Sequence, residues 1–171
     1  MRSSPFYRVS GFTLVEMLAV LAVVAILAAI SFGLIAGVQS RQARSQAAAE
    51  LAALSTALES YRSVFGDYPR LMNDPDGLFL ALYGRRTPDG TAVDRRAFMD
   101  RDAFTIENSR FIDPWGRHYL YFYDESWKET SGGRFGYLLF SRGPSGRFTG
   151  PDGIGHLDRD DEDNLDNIYA D

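Results

Sequence analysis

From Leu14 to Val38 the chain carries a single charged residue, Glu16, and the next charge comes only at Arg41. The run exceeds the roughly 18 to 20 apolar residues that a membrane-spanning helix needs. A carboxylate inside lipid is costly, so Glu16 calls for a partner and points to function by default. Ahead of the run lies a short basic segment with Arg2 and Arg8, ending at Gly11. An ordinary secretory signal places its apolar core before the cut and loses it. Here the small residue precedes the core, so a cut after Gly11 would leave the apolar helix on the mature chain.

The remainder of the 171 residues has room for one globular domain of about 100 residues. The chain has no cysteine, which excludes a disulfide framework, a thiolate metal site and a thiol nucleophile. Net charge is −5, and loss of Arg2 and Arg8 would take the side chains to −7. Acid concentrates in the tail, where residues 152–171 hold eight carboxylates against Arg159 alone. Such a face does not neutralise phosphates, so nucleic acid is not an expected partner.

Beyond Val38 the chain turns polar without a helix breaker. Leu51, Leu54, Leu58, Tyr61 and Phe65 then recur three and four apart, on one helical stripe. Gly66 and Pro69 supply a stop. The spacing predicts one helix over 12–65, about 80 Å long at 1.5 Å per residue, apolar all round at first and on one side later. Pro75 and the run Leu78–Tyr83 predict a short helix closed by Gly84. Residues 84–112 are charged and irregular, a loop with short elements. Asp113-Pro114-Trp115-Gly116 has the residues of a β-turn, with Trp115 given a structural role as a packed aromatic. It leads into His118–Tyr123, and Phe135–Ser141 follows as a second strand, so an antiparallel hairpin laid on the helical stripe is the simplest arrangement. The fold class expected is α+β.

The stretch Ser10-Gly11-Phe12-Thr13-Leu14-Val15-Glu16-Met17 resembles the cleavage and methylation signature of type IV prepilins and pseudopilins. Asp113-Pro114-Trp115-Gly116, the β-rich segment after it, Ser141-Arg142-Gly143 and the acidic tail narrow the resemblance to the major pseudopilin of type II secretion. The likeness is strong at those two motifs and poor between Gly84 and Ile112. It implies a leader over 1–11, a transmembrane and assembly helix over 12–38, its amphipathic continuation over 39–66, and a periplasmic α+β domain over 67–171. It also implies cleavage between Gly11 and Phe12 by a prepilin peptidase and N-methylation of Phe12. The amine so created on an incoming subunit would pair with Glu16 of a neighbour. The partners implied are copies of this chain, other pseudopilins, the peptidase, an inner-membrane assembly platform and membrane lipid.

The same resemblance implies a calcium ion in the loop after the last main strand. The family pattern Ser-x-Gly-Ala-Asp-Gly meets Ser141-Arg142-Gly143-Pro144-Ser145-Gly146 here, so Ser145 stands where a ligating aspartate is expected. Asp166 keeps its carboxylate, and Asp152 or Asp163 would supply the oxygens that Ser145 does not, towards the six to eight that calcium takes. The other reading of this segment is a solvated acidic tail, and both stand at this stage.

Within the same class, the alternatives are a type IV pilin and a competence or minor pseudopilin. From a different class comes a membrane-anchored periplasmic enzyme. Its materials are thin: His118 and His156 are isolated, and the chain has no Gly-x-Ser-x-Gly elbow, His-Glu-x-x-His pair or phosphate-binding glycine loop. No catalytic residue is expected.

Overall fold

The computed structural model describes residues 12–125, 127, 136–151 and 157–170, with the backbone alone over 30–38. The chain falls into two compact units, Met1–Arg41 and Gln42–Asp171. Helix α1 runs Leu14–Phe65. It starts two residues later than the spacing predicts, because Thr13 caps it, and it ends where predicted. There the Gly66 N–H bonds the Arg62 carbonyl at 2.8 Å. In the first unit the described large apolar side chains stand exposed, from Phe12 at 73% and Leu14 at 77% to Leu27 at 59%. Among the described residues no helix is long and apolar enough to cross a membrane. The span expected over 12–38 includes residues 30–38, whose side chains lie outside the described set.

In the second unit, α1 lays down the expected stripe. Leu51, Leu54, Leu58 and Tyr61 are fully buried, and they pack in one cluster with Tyr119, Tyr121, Tyr123, Tyr137 and Leu139. Those sheet residues come from β3 (Leu120–Tyr123), its preceding Tyr119, and β4 (Tyr137–Ser141). The two strands pair antiparallel, with Leu120 opposite Phe140 and Tyr123 opposite Tyr137. Side chains alternate across a strand, so Leu120, Phe122 and Phe140 face the other way, into a second cluster with Trp127 and Leu157. Both faces of the hairpin are therefore covered. A third strand, β5 (Ile168–Tyr169), adds to β4 with Phe140 opposite Tyr169.

Tyrosine makes this core possible because each ring fills volume while its hydroxyl finds a partner at the edge. Tyr121 donates to the Pro69 carbonyl at 3.0 Å, Tyr61 to the Arg86 carbonyl at 2.9 Å, and Tyr123 to Asp67 at 2.7 Å. Tyr119 donates to Glu50 at 2.6 Å. The aromatic groups thus tie α1, the Asp67–Pro69 exit and the sheet together by both packing and hydrogen bonding.

Helix α2 (Pro75–Leu82) has Pro at its first position and Asp74 as N-cap, whose side chain accepts from Gly77 N–H at 2.9 Å. It closes with a Schellman motif: Gly84 N–H bonds Ala81 O at 3.0 Å and Arg85 N–H bonds Leu80 O at 2.8 Å. Residues 84–112, expected as a loop with short elements, are tied down along their length. Arg86 bridges Ala92, a 3₁₀ turn spans Arg101–Ala103, and β1 (Thr105–Glu107) pairs with β2 (Arg110–Ile112). The connecting Asn108 and Ser109 both have positive φ, at 48° and 61°, as a two-residue hairpin turn requires. Phe98, Met99, Phe104 and Ile106 from this segment pack against the main core. The whole is the expected α+β arrangement, a long N-terminal helix followed by a small antiparallel sheet.

Candidate functional site

Glu16 begins the first functional region. Its Oε2 accepts from the Thr13 N–H at 3.2 Å and from the Thr13 hydroxyl at 3.3 Å, while Glu16 N–H donates back to Thr13 Oγ1 at 3.2 Å. This is a capping box: the Ser/Thr-x-x-Glu spacing lets two side chains satisfy helix-start donors that have no intrahelical partner. The carboxylate also lies at the positive end of the helix dipole, which stabilises it. Glu16 therefore has a local role in this chain besides any pairing with a neighbour. Phe12, which precedes the capping Thr13, is 73% exposed, while Gly11 lies outside the described residues.

Asp113 organises the second region. As expected from Asp113-Pro114-Trp115-Gly116, a β-turn forms, with Gly116 N–H bonded to Asp113 O at 2.9 Å. The buried member of the turn is Asp113, only 3% exposed. Its Oδ1 accepts from Trp115 N–H at 3.0 Å and Arg117 N–H at 2.9 Å, and its Oδ2 accepts from Ser141 Oγ at 2.6 Å. Trp115 is half-buried and belongs to neither core cluster, a correction to the packed aromatic expected there. The Asp113 carboxylate has taken over the anchoring. Nearby His118 is half-buried; burial first, then the Arg142 and Arg110 charges, pull its pKa below the ordinary histidine range.

The third region is the acidic loop between β4 and β5. Asp166 spends both carboxylate oxygens on one residue: Ser145 N–H donates to Oδ2 at 2.7 Å and Ser145 Oγ donates to Oδ1 at 2.9 Å. Asp163 is paired instead with Arg147, at 3.0 Å. Asp152 lies outside the described residues. Among the described residues no group of three or more histidines or carboxylates is placed to hold a metal. Among the described residues Asp166 and Asp163 thus answer to separate protein donors, Ser145 and Arg147. Sequence reasoning did not single out Asn164, which is 1% exposed at the centre of the loop. Its partners are mostly backbone groups, which leave no mark in a sequence pattern.

Residues 7–32 match the prokaryotic N-terminal methylation motif, a segment that contains Gly11, Phe12 and Glu16. No curated protein matches the chain. The match covers this N-terminal segment alone, and a motif of this prepilin type supports a pilin-like subunit processed by prepilin peptidase.

Proposed function

We propose that this chain is a structural subunit of a type II secretion pseudopilus. The observation that carries the reading is the methylation motif over 7–32 at the head of a helix whose large apolar side chains from Leu14 to Leu27 stand exposed. In this reading residues 12–38 hold the subunit in the inner membrane as a single span, and the domain over 67–171 stands in the periplasm. The exposed side chains have two apolar environments available, lipid before assembly and neighbouring helices after it.

Hydrolysis of the Gly11–Phe12 peptide bond releases the leader carboxylate and leaves an α-amine on Phe12. Attack of that nitrogen on an electrophilic methyl donor breaks the donor's bond to the methyl group and releases one amine proton. The product stays basic, and an α-amine with a pKa near roughly 7.7–8 is largely cationic at neutral pH. In an apolar bundle, a cation there and the Glu16 carboxylate of a neighbour neutralise one another. Removing one of the two leaves a buried charge that costs about 3–5 kcal/mol. Glu16 thereby sets the axial register between subunits. The Asp113-Pro114-Trp115-Gly116 turn, formed and anchored by a buried carboxylate, supports secretion over the other machines of this class.

Two measurements test the reading. Intact mass and N-terminal sequencing of the chain from membranes, with and without prepilin peptidase, should give a product beginning at methylated Phe12 only when the enzyme is present. An uncut chain, or one cut after the apolar run, overturns the pilin-like assignment. Deleting the chain should then stop export of folded periplasmic proteins while leaving pilus-driven motility and DNA uptake intact. The opposite pattern replaces the secretion role with a pilin role.

A further inference from the structure

The described parts of the loop between β4 and β5, residues 142–151 and 157–167, have few apolar anchors beyond Phe148 and Leu157 and many carboxylates, and such a segment needs another way to close. One common solution is a divalent cation that gathers the carboxylates. The contacts around Asn164 and Ser145 provide a different one.

Asn164 is 1% exposed, and its amide is fully used. Its Nδ2 donates to Thr149 O at 3.2 Å and to Asp158 O at 2.7 Å. Its Oδ1 accepts from Thr149 N–H at 3.0 Å and from Asn167 Nδ2 at 3.0 Å. A carboxamide has two donors and two acceptor lone pairs, so nothing is left over. By binding both the N–H and the C=O of Thr149, it stands in for a backbone strand partner 15 residues away. The second closure is Ser145 on Asp166, described above, in which one residue supplies two donors to a single carboxylate. Gly143 N–H donates to Ser141 Oγ at 3.1 Å, and that hydroxyl is held by Asp113, so this end of the loop is tied to the turn.

We propose that this loop is locked without a cation, by the buried amide of Asn164 and by the Ser145–Asp166 pair. The chemical logic lies at position 145. A serine there brings donors to Asp166, so the pair is attractive on its own. An aspartate there would bring a second negative charge to the same place and would need a cation to hold it. The loop is consequently insensitive to calcium and to chelators, and Asn164 carries the ordering that a metal would otherwise provide.

Thermal melts of the full chain in detergent, followed by near-ultraviolet circular dichroism, test this. The midpoint should be the same in EDTA and in millimolar calcium at matched ionic strength. Asn164→Ala should lower it by about 5 °C or more in both conditions. If that variant does not fold, Ser145→Ala, which removes only the hydroxyl donor to Asp166 Oδ1, should show a smaller drop in both conditions. Ser145→Asp should melt lower in EDTA and recover with calcium, a dependence absent from the wild type. Two results overturn the proposal: a calcium-dependent rise of the wild-type midpoint that sodium chloride does not reproduce, or wild-type melting of both Asn164→Asp and Asp166→Asn.

Discussion

Tyr119 donates its hydroxyl to Glu50 at 2.6 Å, joining the strand that follows the Asp113 turn to a carboxylate on α1 that is only 8% exposed. Gln46 Nε2 holds the other oxygen at 2.8 Å. Burial and the Glu50 bond both push the Tyr119 phenol far above its ordinary range, burial the more. Tyr119→Phe keeps the ring but leaves a buried carboxylate short of one donor. That should cost about 1–3 kcal/mol, measured as a lower urea midpoint with an unchanged slope.

The same burial predicts alkaline instability. Tyr61, Tyr119, Tyr121 and Tyr137 all have phenol pKa values raised, with burial the leading cause in each. A raised pKa means that the folded state keeps protons which the unfolded chain releases near pH 10. The stabilisation is complete below the unfolded value and is lost as pH rises above it. Each such phenol contributes a slope of up to about 1.4 kcal/mol per pH unit in that window. Urea unfolding between roughly pH 9 and pH 11 should therefore show steeply falling stability. Tyr121→Phe should flatten the fall, and a flat profile in the wild type would contradict the burial argument.

Asp113 gives a paired test of its anchoring role. Asp113→Ala removes acceptors for two backbone N–H groups and a serine hydroxyl at a buried site, which should cost about 2–4 kcal/mol. Asp113→Asn retains Oδ1 for the two N–H groups, and its amide can donate to Ser141 Oγ. It should therefore cost about 1 kcal/mol. Equal losses in the two variants, read from chemical denaturation, would mean that the carboxylate shape is not what matters.

Gly84 closes α2 at φ +69°, and a Cβ there would sit 2.6 Å from the Arg96 carbonyl oxygen and 2.7 Å from that of Arg95. Both obstacles are backbone, so no side chain can swing away. Gly84→Ala should cost about 2–4 kcal/mol through left-handed strain and the clash together. Its effect should appear as faster hydrogen exchange at Arg95 and Phe98, whose N–H groups bond Gly84 O at 2.9 Å and Leu82 O at 2.9 Å.

These particulars show why some of the molecule is legible in sequence and some is not. The stripe from Leu51 to Phe65 repeats over several turns, and its period is unmistakable. The β3 and β4 segments are aromatic and bounded by a readable turn. In contrast, β1, β2 and β5 are two or three residues long, too short for an alternation to register. Residues 84–112 are ordered by Gly84, by positive φ at Asn108 and Ser109, and by scattered Phe98 and Phe104, none of which forms a periodic signal. Asn164 works through backbone groups distant in sequence. Glu16 stands out in sequence as a charge in an apolar run, and that prominence obscures its simpler local bond to Thr13.

Thr13 separates the two roles of Glu16. In the described chain Glu16 caps its own helix through the Thr13 N–H and hydroxyl, whereas the proposed assembly step asks the same carboxylate to meet the amine of a neighbour. Thr13→Ala removes the hydroxyl that binds Glu16 and the acceptor for Glu16 N–H, but leaves the carboxylate in place. It should cost the helix start about 0.5–2 kcal/mol, seen as faster hydrogen exchange at residues 13–16 in micelles, with Thr13→Ser close to wild type. Glu16→Gln keeps an oxygen to accept from Thr13 but loses the charge, so the helix start should stay nearly as protected. If the charge sets register between subunits, Glu16→Gln should abolish filament assembly while Thr13→Ala leaves it measurable. Normal filaments from Glu16→Gln would confine Glu16 to capping and remove the intermolecular pair from the mechanism.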